Sequence, residues 1–319
     1  MAALLDAHNN AELTFARKEL ERVVVGDEAL WLMCQRESRT FLPFQAEAAS
    51  VISAELTKCI RAGVPTALLR VGEGEGSVLG LTTSTTVHPV QLDWFNEQFF
   101  DQSGIVLGDT EACSFAAMIR EAIVSADIIG FRSLDRDGQE SELEQIPRHV
   151  DLGLIRGALG MLYAREFLHN ALVRGIFRQR ILTSAWIHLA LIPHLPVILS
   201  ASPAVIVITG RPELKEQFSS RLGARLRSFL PVPVEHSRPI SEADSHYRKT
   251  FPQVIEDLKT DLRGALVLVG AGLFGKLYCH VAKQGGAVAV DLGSAFDVLA
   301  GQVTRPAHTL IDIDALRWT

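Results

Sequence analysis

The segment ALVLVGAGLFGKLYCHVAKQGGAVAVDLG, residues 265–293, constrains the fold more than any other part of the chain. A short apolar run, ALVLV, empties into a glycine turn; a helical stretch follows, and a second apolar run, AVAVD, closes the unit. A strand, a helix and a second strand joined in this way form a crossover, which sets the two strands parallel with the helix against the sheet. Parallel strands are covered on both faces, so they read as continuous apolar runs instead of alternating ones, as these two do. The unit predicts an α/β protein with a mostly parallel, helix-flanked sheet.

The rest of the chain repeats the pattern. Across residues 44–62 the apolar side chains Ala48, Val51, Ile52, Leu56 and Ile60 recur at helical spacing, and Gly63 and Pro65 supply the stop. Thr66–Val71 (TALLRV) is a buried strand that runs directly into GEGEG, read here as a loop. Helices are expected at 91–102, 111–124 and 251–261, and strands at 127–131, 181–185 and, most clearly, 204–209. The PVPVE run at 231–235 reads as an extended strand, and the polar stretch 132–148 as an exposed loop able to cover a site. Neither an internal repeat nor a linker interrupts the chain. The expected organisation is a helical N-terminal extension over 1–44 and one α/β domain over 45–319.

Composition narrows the function classes. Hydrophobic residues make up 48% of the chain and charged ones 21%, which supports a packed core and excludes disorder. A formal charge of −6 argues against a nucleic-acid partner, which calls for a concentrated basic face. The richest basic stretch, 174–180, reads as the solvated side of an amphipathic helix. Cys34, Cys59, Cys113 and Cys279 lack CxxC or Cys/His spacing and read as reduced core thiols. The apolar stretch 181–209 is broken by Pro193, Pro196, Pro203, His188 and His194, so it reads as buried helix, turn and strand, with no transmembrane segment. No secretory signal opens the chain, and a cytoplasmic location is the expectation. Apolar helix faces serve a core and a homo-oligomer interface equally well.

Two constellations carry chemistry. In the first, Arg70, Gly72, Glu73, Gly74 and Glu75 set two carboxylates two residues apart among glycines at the end of a buried strand. Ligands of open α/β sheets gather at the carboxyl ends of strands. A divalent cation, Mn²⁺ or Mg²⁺, prefers oxygen ligands and can bridge carboxylates to a diphosphate. In the second, Gly270, Gly272 and Gly275 follow a strand and open a helix, with Asp291 closing the next strand. That spacing matches a dinucleotide fingerprint, in which helix amides meet a pyrophosphate and an acid takes a ribose hydroxyl. The same glycines also permit close helix-to-sheet packing. Only 28 residues follow Asp291, so the unit does not begin a complete dinucleotide domain. Two minor clusters mix hydrogen-bonding and aromatic groups suited to a polar sugar ring: Thr183, Ser184, Trp186 and His188, and His246, Tyr247 and Arg248. They serve equally well as caps and satisfied core groups. The GxSxG, HExxH and GxxxxGK[ST] signatures are absent from the sequence.

At Arg70 to Glu75 the run RVGEGE resembles the strand-end R-x-G-D-G-E motif of GT-D type glycosyltransferases, formerly a domain of unknown function. VGAGLFGKLYCHVAKQGGAVAVDLGSAFDVLAG resembles that family's closing segment, and the likeness spans residues 45–301. The resemblance implies a Rossmann-like fold that binds a nucleotide-sugar donor, often UDP-linked. It implies transfer of the sugar, a hexose, to a glycan, protein or lipid-linked acceptor hydroxyl with a divalent cation's help. Glu75 matches the motif directly, whereas Glu73 stands where the family carries aspartate. Carried over, Glu73 and Glu75 become the metal-binding and catalytic carboxylates, joined by Arg70 and Gly72 at the diphosphate end. Gly270, Gly272, Gly275 and Asp291 then lie in the donor crevice, with Gly74, Thr183, Ser184, His188 and His246 as further donor-binding candidates. Candidates for the general base are Glu73, Asp291, His188 and His246. Two other readings stand beside this one: an NAD(P)-dependent oxidoreductase built on Gly270 to Asp291, and a non-catalytic module that binds a nucleotide sugar without turnover.

Overall fold

A computed structural model of the chain describes residues 13–16, 18–19, 27–43, 45–81, 88–100, 105–134, 152–233, 245–305, 308, 312 and 316. Its strands are β1 (Thr40–Leu42), β2 (Thr66–Val71), β3 (Ile128–Phe131), β4 (Ile181–Ser184), β5 (Ala204–Thr209), β6 (Leu226–Pro231), β7 (Ala265–Gly270) and β8 (Val288–Asp291). They form a sheet in the order β1-β4-β3-β2-β8-β7-β5-β6. The β1–β4, β2–β8, β7–β8, β5–β7 and β5–β6 pairs are parallel. β3, β4 and β8 are buried along their whole length, whereas the edge strands β1 and β6 are half-buried to exposed. The continuous apolar runs thus mark interior strands, as the physics of a sheet covered on both faces requires.

Two compact units divide the chain. Met1–Pro43, Arg70–Val124 and Ile129–Ala185 form the first; Phe44–Leu69, Ser125–Ile128 and Trp186–Thr319 form the second. In the first unit, the helix Glu73–Leu81 packs along the 22-residue helix Leu152–Val173. In the second, Thr66 to Leu68 pair with Val288 to Val290, and Leu266 to Val269 continue the ladder from the other side of β8. Asp127 ties this ladder down. Its Oδ2 accepts the Ala67 amide hydrogen at 2.9 Å and forms an ion pair with Lys283 at 2.6 Å.

Several expectations need correction. GEGEG is no loop: the helix begins at Glu73 itself. The basic stretch 174–180 is not helical, because the helix ends at Val173 and turns follow. There Gly175 takes a left-handed φ of 66°, and Phe177 buries fully against Phe131 and Phe167, which bends the chain inward. The strand expected in PVPVE lies one step earlier, as β6, and ends at Pro231. Prolines 231 and 233 have no amide hydrogen to continue a ladder. The N-terminal extension, read as helical, also contributes the edge strand β1.

The 135–148 part of the polar loop lies outside the described residues, as does 234–244. Among the described residues no helix is long and apolar enough to cross a membrane. All four cysteines are reduced thiols, buried or half-buried, and burial pushes Cys34 up to about 12.

Candidate functional site

In the first unit the site is built on the start of the helix Glu73–Leu81. An α-helix leaves its first amides without intrahelical partners. Here the Glu75 Oε2 accepts the Gly72 amide hydrogen at 2.8 Å, the glutamate half of a capping box, while the Gly76 amide donates to the Gly72 carbonyl at 3.0 Å. One of the two carboxylates is therefore oriented by the backbone it caps. The other is oriented by a cation: Arg132 Nη1 lies 2.6 Å from Glu73 Oε2. Arg132 directly follows β3, and Arg70 is the half-buried penultimate residue of β2. Glu73, Glu75 and Arg132 thus stand at this unit's carboxyl-terminal strand ends, with Arg70 one residue short of the end of β2.

The glycines of this motif serve packing. A Cβ on Gly76 would lie 1.7 Å from the Gly160 carbonyl oxygen, and one on Gly160 would lie 2.0 Å from the Glu73 carbonyl oxygen. The two helices therefore cross backbone to backbone. Gly80 repeats the contact one turn on, where a Cβ would meet the Tyr163 ring at 2.7 Å. This crossing fixes where Glu73 and Glu75 stand. Gly74 sits in the first turn between them. Thr183 and Ser184 are fully buried in β4; the Thr183 hydroxyl donates to the Leu42 carbonyl at 2.8 Å, and the Ser184 carbonyl packs against Gly130. Both work as strand residues.

The second unit holds the glycine-rich turn. Gly272 has a φ of 51°, which an L side chain rarely adopts. A Cβ on Gly270 would strike the Phe296 ring at 2.4 Å and the Gly293 carbonyl oxygen at 3.0 Å, so this turn adjoins the turn after β8. Gly275 packs its helix onto Val269. Asp291 is 1% exposed and lies 2.9 Å from Lys276 Nζ, itself 2% exposed. The acid that a dinucleotide fingerprint offers to a ribose is here committed to a buried ion pair, which removes the main support for the oxidoreductase reading.

Beyond β8, the Ser294 Oγ lies 3.2 Å from His188 Nε2 and 3.2 Å from His308 Nε2. Both imidazoles are fully buried, and Trp186 stacks on His188 at 5.9 Å. Burial lowers the His308 pKa, with Asp297 opposing the shift and Arg305 adding to it. His246 belongs to a different cluster. It stacks on Phe274 at 4.2 Å, and its Nε2 shares a hydrogen bond of 2.8 Å with the Tyr278 hydroxyl. Burial pulls His246 down to about 3 and pushes Tyr278 up, so the imidazole is neutral and the phenol keeps its proton. Tyr247 stacks on Phe251, and Arg248 lies over the Tyr247 ring at 5.0 Å.

Arg132, Lys276, Ser294 and His308 were not singled out from the sequence. Arg132 had a signal, because it follows a buried strand directly, as GEGEG does. Lys276 had a weaker one, a lone cation among apolar helix residues.

Residues 47–299 match a family described as a GT-D fold-like domain. No curated protein matches the sequence. Two solved structures align with it, each over 87% of this chain and 87% of their own. One is a selenomethionine-substituted structure of the domain of unknown function 1792, 14% identical with a TM-score of 0.45. The other, 13% identical with a TM-score of 0.44, is described as showing that this highly conserved domain has a distinct glycosyltransferase fold.

Proposed function

Because the chain belongs to the GT-D-like family, its residues 47–299 forming that domain, we propose that it is a glycosyltransferase that moves a hexosyl group from a UDP-linked donor to an acceptor hydroxyl. The family match carries this reading. The Arg70–Glu75 cluster supports it, since transfer from a nucleoside diphosphate develops negative charge on the departing diphosphate that the protein must stabilise.

Arg132 and Arg70 supply fixed positive charge at the strand ends, and a guanidinium pairs with phosphate oxygens through two parallel hydrogen bonds. Glu73 holds Arg132 in place until the diphosphate arrives, through a half-exposed pair worth at most about 1 kcal/mol and therefore easily exchanged. The family implies a divalent cation. Among the described residues no cluster of three or more His, Cys, Asp or Glu side chains could hold one alone. Glu73 and Glu75 instead suit Mn²⁺ or Mg²⁺ that takes its remaining oxygens from diphosphate and water. Bound there, the cation would add to the neutralisation of the leaving group. Glu75 keeps its orientation from the Gly72 amide, as metal-ligating carboxylates commonly do from a neighbouring donor.

The test is calorimetric titration with UDP and with NADH, each with Mn²⁺ and with EDTA, on the native chain, Glu75→Gln and Glu75→Ala. The glutamine variant keeps an oxygen for the Gly72 amide and removes only the charge. The expected result is Mn²⁺-dependent UDP binding that is lost in both variants, followed by UDP release from a UDP-hexose. Binding of NADH with UDP silent would overturn the proposal. Binding of UDP without release from any UDP-hexose would leave a nucleotide-sugar-binding module.

A further inference from the structure

Glu73 and Arg132 leave neighbouring strands. β2 and β3 lie side by side in the sheet; Glu73 opens the helix that follows β2, and Arg132 directly follows β3. Arg70–Val124 and Ile129–Ala185 belong to the same compact unit, so the two side chains meet within one body. They meet at 2.6 Å, with the Arg132 side chain 22% and the Glu73 side chain 40% exposed. A pair that water reaches on both sides exchanges partners readily, because solvent stabilises each ion nearly as well as its partner does. The Lys276–Asp291 pair, 2% and 1% exposed, is the opposite case: separating it would strand two charges away from water.

The two glutamates of the motif are held in different ways. The Gly72 amide, a neutral donor, orients Glu75, whereas a full positive charge sits on Glu73. A divalent cation also takes carboxylate oxygens. On Glu73 it meets Arg132, and a doubly charged ion and a guanidinium on one carboxylate repel each other. The guanidinium, at the end of a long side chain, is the group that can swing away.

From this we infer that Arg132 and the divalent cation compete for Glu73, and that a nucleoside diphosphate resolves the competition by taking Arg132, so that cation and diphosphate bind cooperatively. The inference rests on the transferase reading and adds the coupling between its two ligands. Before either binds, Glu73 faces Arg132. When the diphosphate arrives, Arg132 turns to the phosphate oxygens, which match its planar fork with two parallel hydrogen bonds. Glu73 then turns to the cation. Linkage makes the effect reciprocal: the factor by which UDP raises Mn²⁺ affinity is the factor by which Mn²⁺ raises UDP affinity. A half-exposed pair bounds the share of that factor due to the exchange at about 5-fold.

The experiment measures Mn²⁺ binding to the full chain from the paramagnetic resonance signal of free Mn²⁺, without UDP and with saturating UDP. In the absence of UDP, Arg132→Gln should bind Mn²⁺ about 5-fold tighter than the native chain, because the competitor is gone. With UDP bound the gain should vanish, since Arg132 has already left Glu73 in the native chain. An equal gain with and without UDP would make Arg132 a fixed charge and overturn the exchange; no gain without UDP would overturn the competition. A second arm uses calorimetry with UDP in EDTA. There Glu73→Gln, which releases Arg132 without a cation, should bind UDP about 5-fold tighter than the native chain, and adding Arg132→Gln should abolish that gain. A gain that survives in the double variant comes from lost repulsion alone and overturns the exchange. If the native chain binds UDP but no Mn²⁺ in either state, the competition is overturned while the donor reading stands. If the native chain binds no UDP in either arm, the donor reading fails, and Mn²⁺ binding without UDP decides the competition.

Discussion

Replacing Gly160 by alanine places a methyl carbon 2.0 Å from the Glu73 carbonyl oxygen and 2.7 Å from the Ser77 hydroxyl. Neither the carbonyl nor its backbone can swing aside as a flexible side chain would. The helices Glu73–Leu81 and Leu152–Val173 must separate by roughly 1 Å, and overpacking of this kind costs about 1–3 kcal/mol. Helix propensity returns up to about 1 kcal/mol on the glycine-to-alanine change. The net expectation is a loss of about 2 kcal/mol. Gly157, on the same helix, has nothing within 4 Å of its Cβ position, so Gly157→Ala should stabilise by about 0.5–1 kcal/mol. Urea unfolding of the two variants beside the native chain measures both, and the midpoints should move in opposite directions. The same separation displaces Glu73 and Glu75, and a misplacement of about 1 Å can cost on the order of 100-fold in rate. UDP-hexose turnover should therefore fall in Gly160→Ala and hold in Gly157→Ala. A Gly160→Ala midpoint equal to or above that of Gly157→Ala would refute the backbone-to-backbone crossing and the positioning role built on it.

Three further perturbations test the remaining assignments. Lys276→Met leaves Asp291 buried without its ion-pair partner and should lose about 3–5 kcal/mol in urea unfolding, whereas Lys276→Met with Asp291→Leu should recover most of it. His246 titrates in the unfolded chain near 6.5 but only at about 3 when folded. The unfolded chain therefore takes up a proton that the folded one refuses, so this stability is full above pH 6.5 and falls as pH drops toward 3. Discounted for the ring's partial exposure, the native chain should lose about 1 kcal/mol more than His246→Gln between pH 7.5 and 5. Arg132→Gln should change stability by less than about 1 kcal/mol, because the pair is half-exposed, yet weaken UDP binding in calorimetry by about 10-fold.

The interior strands were legible because their apolar character is local: β2, β5, β7 and β8 each announce themselves in four to six consecutive residues. The strand-end placement of Arg70, Glu73 and Glu75 followed from β2 alone. What the sequence did not disclose depends on partners far along the chain. Gly76 reads as part of an acidic loop until Gly160 is known to lie against it. Arg132 meets Glu73 across neighbouring strands, and His188 meets Ser294 and His308 from three separate segments. Asp291 matched a ribose-binding spacing, but that spacing also arises when an acid must neutralise a lysine beneath a tight turn. The three-residue β1 is too short for periodicity to register.

The ladder of Thr66, Ala67 and Leu68 with Val288, Ala289 and Val290 sets a constraint on biosynthesis. During translation β2 leaves the ribosome long before β8 exists to pair with it. Until then, the edges that β2 and β7 present to β8 carry unpaired amides and carbonyls, the template on which strands from other chains add. Contacts of such sequence separation form late and slowly. The second unit therefore completes its sheet only after β8 has emerged, and a nascent chain halted before residue 288 should be the species that chaperones hold and that aggregates when they are withdrawn.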